Sequence, residues 1–424
     1  MKIVSSVALE FLGCRLNQAE NETLARQFLS QGYELAESPT YADIYVLNTC
    51  TVTHIAERKA RHLLRKARRS NSNAVIVATG CYAQRAPEEL RQLGVVDLVV
   101  GNEGKFYLLE TLNHLSEDEH EEEASVFLPG RTRSLIEIQR GCNDLCSFCI
   151  VPQVRGREYS LPAERILRGV KERVGAGYKE VILTGTKIGA YGQNGGSPAQ
   201  LLCLIERILG ETGVERLHLS SLQPQELTPQ LLKLWGDLRL CPHLHIPLQS
   251  GSQSVLQRMR RRYSVADYKR AVSLVREIIP DVAVTTDVIV GFPGESEEEF
   301  EESYHFCERI DFANIHSFPY SARPGTVAAQ MPDQVKPEVK RERSQRMLAL
   351  ARGSAQHFRE HFLGQTMPVL WERKVRGGIW SGHTDNYLRI FTQSDKELTN
   401  QIAWAKMIAG HEGGLWGKLV NKGG

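Results

Sequence analysis

Four short apolar runs in this chain of 424 residues each lead straight into a cysteine, which restricts the possible fold more than any bulk property does. Residues 7–12 lead to Gly13-Cys14, 44–47 to Asn48-Thr49-Cys50, 74–78 to Thr79-Gly80-Cys81, and 135–139 to Arg140-Gly141-Cys142. Over residues 1–115 the first three runs alternate with helical stretches, the pattern of a doubly wound parallel sheet covered on both faces. Ligands of open parallel sheets collect beyond the carboxyl ends of the strands. Three strands of one sheet would therefore deliver Cys14, Cys50 and Cys81 to a single edge, which predicts a metal site there. One cysteine in such a place reads as a small buried apolar residue; three in equivalent places do not.

The fourth run opens Cys142-Asn143-Asp144-Leu145-Cys146-Ser147-Phe148-Cys149, a CxxxCxxC spacing within one tight loop. Cysteine thiolates are the usual ligands of a cubane 4Fe–4S cluster, and three of them leave one iron open to a small molecule. A structural zinc site takes four protein ligands, and each cysteine triad supplies three. Two 4Fe–4S clusters are expected, one on Cys142, Cys146 and Cys149 and one on Cys14, Cys50 and Cys81.

An apolar fraction of 42% and a charged fraction of 24% describe a globular protein with ample material for a core. No run of about 18 or more apolar residues occurs, so no membrane partner is expected. The opening residues Met1-Lys2-Ile3-Val4 enter a strand pattern, not a signal peptide, and a cytoplasmic location is expected. There, nine cysteines point to metal or redox chemistry before disulfides. A net charge of +2 excludes a polycation, yet residues 57–69 gather seven Lys and Arg against one acid. Such a helix is a solvated face or, beside other nucleic-acid signals, a phosphate-contacting surface.

An acidic, aperiodic stretch at residues 116–128 reads as a linker. Residues 129–360 then repeat strand and helix about six times, with strands at 135–139, 180–184, 216–220, 243–248, 283–290 and 314–318. Six units predict an open, partial (β/α)6 TIM-like barrel with its chemistry at the strands' C-terminal ends. From residue 363 to 424 short strands, including 367–372 and 386–391, alternate with glycine-marked turns, as in a small β-barrel. A domain this small buries too little surface to stand alone comfortably and should lean on its neighbour.

The order of these parts resembles the radical S-adenosylmethionine methylthiotransferase family. The motifs that carry the resemblance are Gly13-Cys14-Arg15-Leu16-Asn17-Gln18, Asn48-Thr49-Cys50, Thr79-Gly80-Cys81, the CxxxCxxC loop, Arg155-Gly156-Arg157-Glu158, His245 to Ser252 and Thr286 to Glu295. The segments Thr51-Val52-Thr53-His54 and Cys81-Tyr82-Ala83-Gln84 are most similar to the branch acting on N6-threonylcarbamoyladenosine in tRNA. Other branches act on isopentenyladenosine in tRNA or on an aspartate of a small-subunit ribosomal protein. A non-catalytic, metal-containing RNA-binding protein is the alternative from another class.

The resemblance implies a C-terminal RNA-binding TRAM domain and S-adenosylmethionine as both methyl donor and radical source. It implies tRNA as substrate, an electron donor such as a flavodoxin or ferredoxin, and a sulfur source. Phe148, Thr184, Gly185, Gln249, Ser250 and Gly291 are the residues expected around the cofactor. The target chemistry is consistent: the hydrogen on adenine C2 is not acidic and the carbon bears no leaving group, so acid–base or nucleophilic catalysis has no handle. Among other candidates, Arg258, Arg260, Arg261 and Arg262 read as a solvated or phosphate-reaching run, and His243 and His245 as packing residues. Cys203 and Cys307 read as helix-face residues.

Overall fold

The computed structural model describes residues 6–113, 128, 131–192 and 198–421. Five parallel strands come first: β1 (Ser6–Phe11), β2 (Glu34–Leu35), β3 (Ile44–Thr49), β4 (Val75–Gly80) and β5 (Leu98–Val100). They lie in the order β2-β1-β3-β4-β5. Alternate residues face opposite sides. Tyr45, Leu47, Ile76 and Ala78 pack with Ala60, Leu64 and Ala67 of helix α2 (His54–Ser70). Val7, Val46 and Val77 pack with Leu24 and Phe28 of helix α1 (Arg15–Ser30) on the other face. The doubly wound arrangement is as expected; the short strands β2 and β5 add to the three read from sequence. The strand order turns back between β1 and β3, the switch point where such sheets bind ligands, and Cys14 and Cys50 follow those two strands.

The middle of the chain supplies β6 (Arg133–Arg140), a two-residue antiparallel β7 (Tyr159–Ser160), β8 (Glu180–Gly185), β9 (Arg216–Leu219), β10 (His243–His245), β11 (Ala283–Val290) and β12 (Asn314–Pro319). Parallel pairs run β6-β8-β9 and β10-β11-β12, and single bridges such as Ser221 with His245 join the two sets into a six-stranded partial barrel. β10 is shorter than expected because Pro247 has no N–H for the ladder. Outward-facing residues such as Ile138, Leu183, Leu219 and Leu244 join the surrounding helices in one large apolar core. Helix α1 turns its second side to this barrel, with Ala19 against Leu135 and Ile182. The acidic linker expected at 116–128 lies outside the described residues apart from Leu128, which is buried.

Strands β13 (Thr366–Lys374), β14 (Ile379–Thr384), β15 (Arg389–Gln393), β16 (Gln401–His411) and β17 (Gly414–Leu419) close into a barrel. The sequence showed only two of these, and placed β15 three residues early. The segment before it is a turn in which Tyr387 takes φ +68°. Trp371 and Trp380 fill the barrel, and Phe358 from the helix Pro337–Glu360 closes one end. The small domain does lean on its neighbour: Arg216 donates to the carbonyls of Pro368 (2.8 Å) and His383 (3.2 Å), and Arg133 pairs with Glu372.

The bend that starts the CxxxCxxC loop depends on one glycine. Gly141 has φ +72°, and a Cβ there would lie 1.9 Å from the Arg157 carbonyl oxygen. Gly141→Ala is expected to destabilise the protein by about 3 kcal/mol through backbone strain and overpacking. Thermal unfolding should show a clearly lower midpoint, with loss of iron from the anaerobically prepared protein.

Candidate functional site

Each cysteine of the N-terminal triad stands beside a helix start. Cys14 is the residue before α1, in extended conformation; Cys50 precedes the turn in which the Thr53 hydroxyl caps α2; Cys81 begins helix α3 (Cys81–Arg85). Helix N-termini present free N–H groups and partial positive charge, which favours thiolates. The three sulfurs are neighbours. A Cβ on Gly13 would stand 2.7 Å from the Cys50 Sγ, and Cys14 and Cys81 both act on Cys50 electrostatically. The Val52 amide donates to the Cys50 Sγ (3.5 Å), and the Asn102 side chain to that of Cys81 (3.8 Å).

The second triad is held by backbone. The Cys142 amide donates to the Gly156 carbonyl (3.1 Å), that of Cys149 to Cys146 (3.1 Å), and that of Ser147 to Met259 (3.1 Å). Phe148 packs edge-on against Phe292, ring centroids 6.5 Å apart, so it wedges the loop against the barrel. The Asp144 amide donates to the Cys142 Sγ (3.4 Å) and the Arg261 guanidinium to the Cys146 Sγ (3.4 Å). The arginine run after β10 is therefore mostly not a solvated end. Arg258 pairs with Glu299, Arg261 reaches the cysteine loop, and Arg262, though exposed, pairs with Asp144 at 3.1 Å; Arg260 is exposed and has no such pairing among the described residues. Lys187 also holds Asp144, at 2.9 Å.

The two triads share a wall. Cys81 packs with Ile150 and Val154, one and five residues after Cys149. Arg155 then crosses between domains to Glu20 (2.7 Å) and Asn17, while Lys105 reaches Glu20 from the other side (2.6 Å). All three charged side chains are buried. A second crossing is made by Arg323, which donates to the Thr51 carbonyl (3.0 Å) and pairs with Glu57 (3.3 Å).

Both donor sets suit iron–sulfur clusters. Burial pushes the thiols of Cys50 and Cys149 up to about 12 and that of Cys142 up to about 11. Free, they hold their protons; metal coordination removes them. N–H donors already aimed at four of the sulfurs are the contacts that tune cluster potentials. Among the described residues no group of three Cys, His, Asp or Glu is placed to hold a single metal ion. Two buried oxygens at barrel strand ends, Thr186 Oγ1 after β8 and Ser220 Oγ after β9, have no hydrogen-bond partner, which suits a polar cofactor.

The expected cofactor residues separate in space. Thr184 and Gly185 line a cavity of about 820 Å³ inside the barrel, together with Cys14, Ser220, His243, His245 and Asp287. Gly185 is also required by packing, since a Cβ there would meet the Gln139 carbonyl oxygen at 2.5 Å. Gln249 and Gly291 lie outside that lining, both with positive φ. Ser250 is buried and shares a hydrogen bond with the Ser303 hydroxyl at 2.8 Å. His243, also buried, bonds to His218 (2.8 Å). Cys307 is buried on its helix, whereas Cys203 is exposed.

Residues 136–307 match the radical SAM superfamily, and residues 6–101 match an uncharacterized protein family, UPF0004. The threonylcarbamoyladenosine tRNA methylthiotransferase MtaB of Bacillus subtilis is 36% identical over 424 residues, spanning 96% of this chain and 94% of its own. The chain belongs to the radical S-adenosylmethionine methylthiotransferase family. The MtaB of Aquifex aeolicus is 37% identical, spanning 92% of this chain and 98% of its own. The tRNA-2-methylthio-N(6)-dimethylallyladenosine synthase of Syntrophotalea carbinolica is 34% identical across 98% and 100%. Among solved structures, the radical S-adenosylmethionine methyltransferase TsrM of Kitasatospora setae shares the fold, with a TM-score of 0.56 at 15% identity over 77% of each chain. For a radical S-adenosylmethionine methylthiotransferase, a 4Fe–4S cluster and S-adenosylmethionine are implied. No described helix is long and apolar enough to cross a membrane.

Sequence reading gave no role to Arg155 or Arg323 and read Arg261 as part of a solvated or phosphate-reaching run, not as a partner of the cysteine loop. Arg155 and Arg261 lay in motifs or runs already singled out, but their partners are more than a hundred residues away. Beside them, Glu226 accepts from the Gln223 amide (2.8 Å), and burial pushes its carboxyl up to about 7 against the pull of that bond and of Lys187. The native carboxyl keeps its proton where the unfolded one loses it. This contribution to stability is complete below pH 4.5 and is lost as pH rises through about 7, a swing of about 3 kcal/mol. Glu226→Gln should flatten the fall in unfolding midpoint between pH 5 and pH 8 in thermal scans; an unaltered pH profile would contradict this.

Proposed function

We propose that this protein transfers a methylthio group to C2 of N6-threonylcarbamoyladenosine at position 37 of tRNA, giving 2-methylthio-N6-threonylcarbamoyladenosine. The observation that carries the reading is the shared wall between two cysteine triads, each one donor short of a closed site. The near full-length relatives whose names specify this nucleoside support it. Cys142, Cys146 and Cys149 would hold the cluster that engages S-adenosylmethionine, and Cys14, Cys50 and Cys81 a second cluster. With a reductant, the first cluster and S-adenosylmethionine supply one-electron chemistry able to remove an unactivated hydrogen. Phe148 and Arg261 fix the loop that carries them, and Thr184, Gly185, Gln249, Ser250 and Gly291 are proposed to shape the cofactor's surroundings. An electron donor such as a flavodoxin or ferredoxin, a sulfur source and a cytoplasmic setting belong to the same reading.

Residues 1–115, 129–360 and 363–424 would act as methylthiotransferase, radical and TRAM-type RNA-binding domains. The second reading, action on isopentenyladenosine, is favoured by the synthase-named relatives alone. Mass spectrometry of nucleosides from total tRNA, with and without the gene, separates them. Loss of 2-methylthio-N6-threonylcarbamoyladenosine with build-up of its unthiolated precursor is expected; loss of the isopentenyl counterpart would move the assignment.

Helix α2 offers Arg58, Lys59, Arg65, Lys66 and Arg69 to solvent, whereas Arg68 is taken by Asp97. Neutralising those five exposed residues should weaken tRNA binding and lower its salt dependence by about one unit of slope per lost phosphate contact. Iron content should not change. Equal binding by filter or anisotropy assay would remove the helix from the footprint.

A further inference from the structure

The interior of a closed (β/α)8 barrel is filled by branched apolar side chains. Here the interior is open and polar. Inward positions of β10, β11 and β12 carry His243, His245, Thr285, Asp287, Asn314 and His316, all lining the 820 Å³ cavity. Its charge is one-sided: Arg15, Arg359 and Arg389 face a single carboxylate, Asp287, which is already bonded to the His245 Nε2 at 3.2 Å. Among the described residues no carboxylate pairs with Arg15 or Arg359. Arg15 instead lies over the Tyr387 ring, 5.4 Å from its centroid, and Arg389 over Phe391, 4.7 Å away. Guanidinium groups with no carboxylate partner, lining a cavity of this size, are suited to an anionic ligand.

Three features place that anion near Arg15. The residue is adjacent to Cys14 and lines the cavity with it. Helix α1, sixteen residues long, begins at the same wall with no side chain capping its first turn. Ser220, only 6% exposed, lines the same space with its hydroxyl oxygen unpartnered. On the substrate side, C2 and N6 of adenine flank N1 on one edge of the base. A base presenting C2 to the Cys14 region, with its N6 substituent turned to the N1 side, brings that substituent within a few ångströms of the same wall.

We propose that Arg15, assisted by Ser220 and His316, reads the carboxylate of the N6-threonylcarbamoyl group and so separates this substrate from adenosine and from apolar N6-modified bases. The inference rests on the substrate reading above. A planar guanidinium takes a carboxylate with two parallel hydrogen bonds, and an isopentenyl group would leave the arginine desolvated and unpaired. The specificity therefore contains a penalty as well as an attraction.

The test uses anaerobically reconstituted protein and anticodon stem-loop RNAs that differ only at position 37: N6-threonylcarbamoyladenosine, its carboxyl methyl ester, adenosine or N6-isopentenyladenosine. Equilibrium binding is read by anisotropy, and methylthiolation by kcat/KM. Wild type should bind the acid about ten- to a hundredfold more tightly than the ester or adenosine, the range for a hydrogen-bonded charge. Arg15→Gln should lose that advantage while binding the adenosine loop as wild type does, and Arg15→Lys should recover part of it. If wild type does not methylthiolate the threonylcarbamoyl loop, the substrate reading itself falls. If it does, but binds acid and ester alike, or if Arg15→Gln keeps the full preference, the assignment to Arg15 is overturned. The ester comparison leaves the protein untouched, so a poorly folded variant cannot obscure the result.

Discussion

The rest of the site depends on the buried ion group in which Arg155 and Lys105 share Glu20. Arg155 ends the short helix that follows Cys149, Glu20 lies in the second turn of the helix that follows Cys14, and Lys105 stands beyond the last strand of the first sheet. Burying such charges is costly, and the pairing offsets that cost only when geometry is good. Asn17 and Asn48 supply the further hydrogen bonds that a buried carboxylate and guanidinium require. Removing one member would leave a charge stranded, at a cost of about 3–5 kcal/mol. The group therefore acts less as glue than as a register pin, fixing one cysteine loop against the other with little freedom to slide.

Around that pin the three domains converge on one space. The doubly wound sheet brings Cys14 to its switch point, the partial barrel contributes an inner wall of histidines, and the closing β-barrel supplies His383, Asn386 and Tyr387 to the same cavity. Six parallel strands leave a lateral opening that eight would seal. A polar interior can survive there because it is not required as the hydrophobic core, which lies outside the strands among the helices. Arg216 and Arg133 hold the C-terminal barrel over this region through backbone carbonyls and Glu372. The C-terminal barrel is thus part of the cavity wall.

Much of this was legible in the residues. The six cysteines, the parallel strands before them and the order of the three segments follow from local spacing and period, which sequence records directly. Pro247 explains why β10 stops at His245, whereas the sequence reading carried that strand through the proline to residue 248. Strand β16 was not seen, since Gln401–His411 carries Ile402, Trp404 and Ile408 on the face away from the core and only Ala403, Ala405 and Met407 toward it, so no apolar alternation marks the inward side. The roles of Arg155, Arg261 and Arg323 were hidden for another reason. Each is defined by a partner between 115 and 272 residues away, and a charged residue in a loop looks the same in sequence whether it meets water or a buried carboxylate.

Two adjacent clusters, each with an iron left for an external ligand, are the physical claim on which the function stands. Iron and acid-labile sulfide analysis of the anaerobically purified protein, beside variants with Cys14, Cys50 and Cys81 or Cys142, Cys146 and Cys149 replaced by alanine, tests it most directly. About eight irons per chain in the parent and about four in each variant are expected. A parent holding zinc or only about four irons, or a fourth protein ligand found on either cluster, would contradict it.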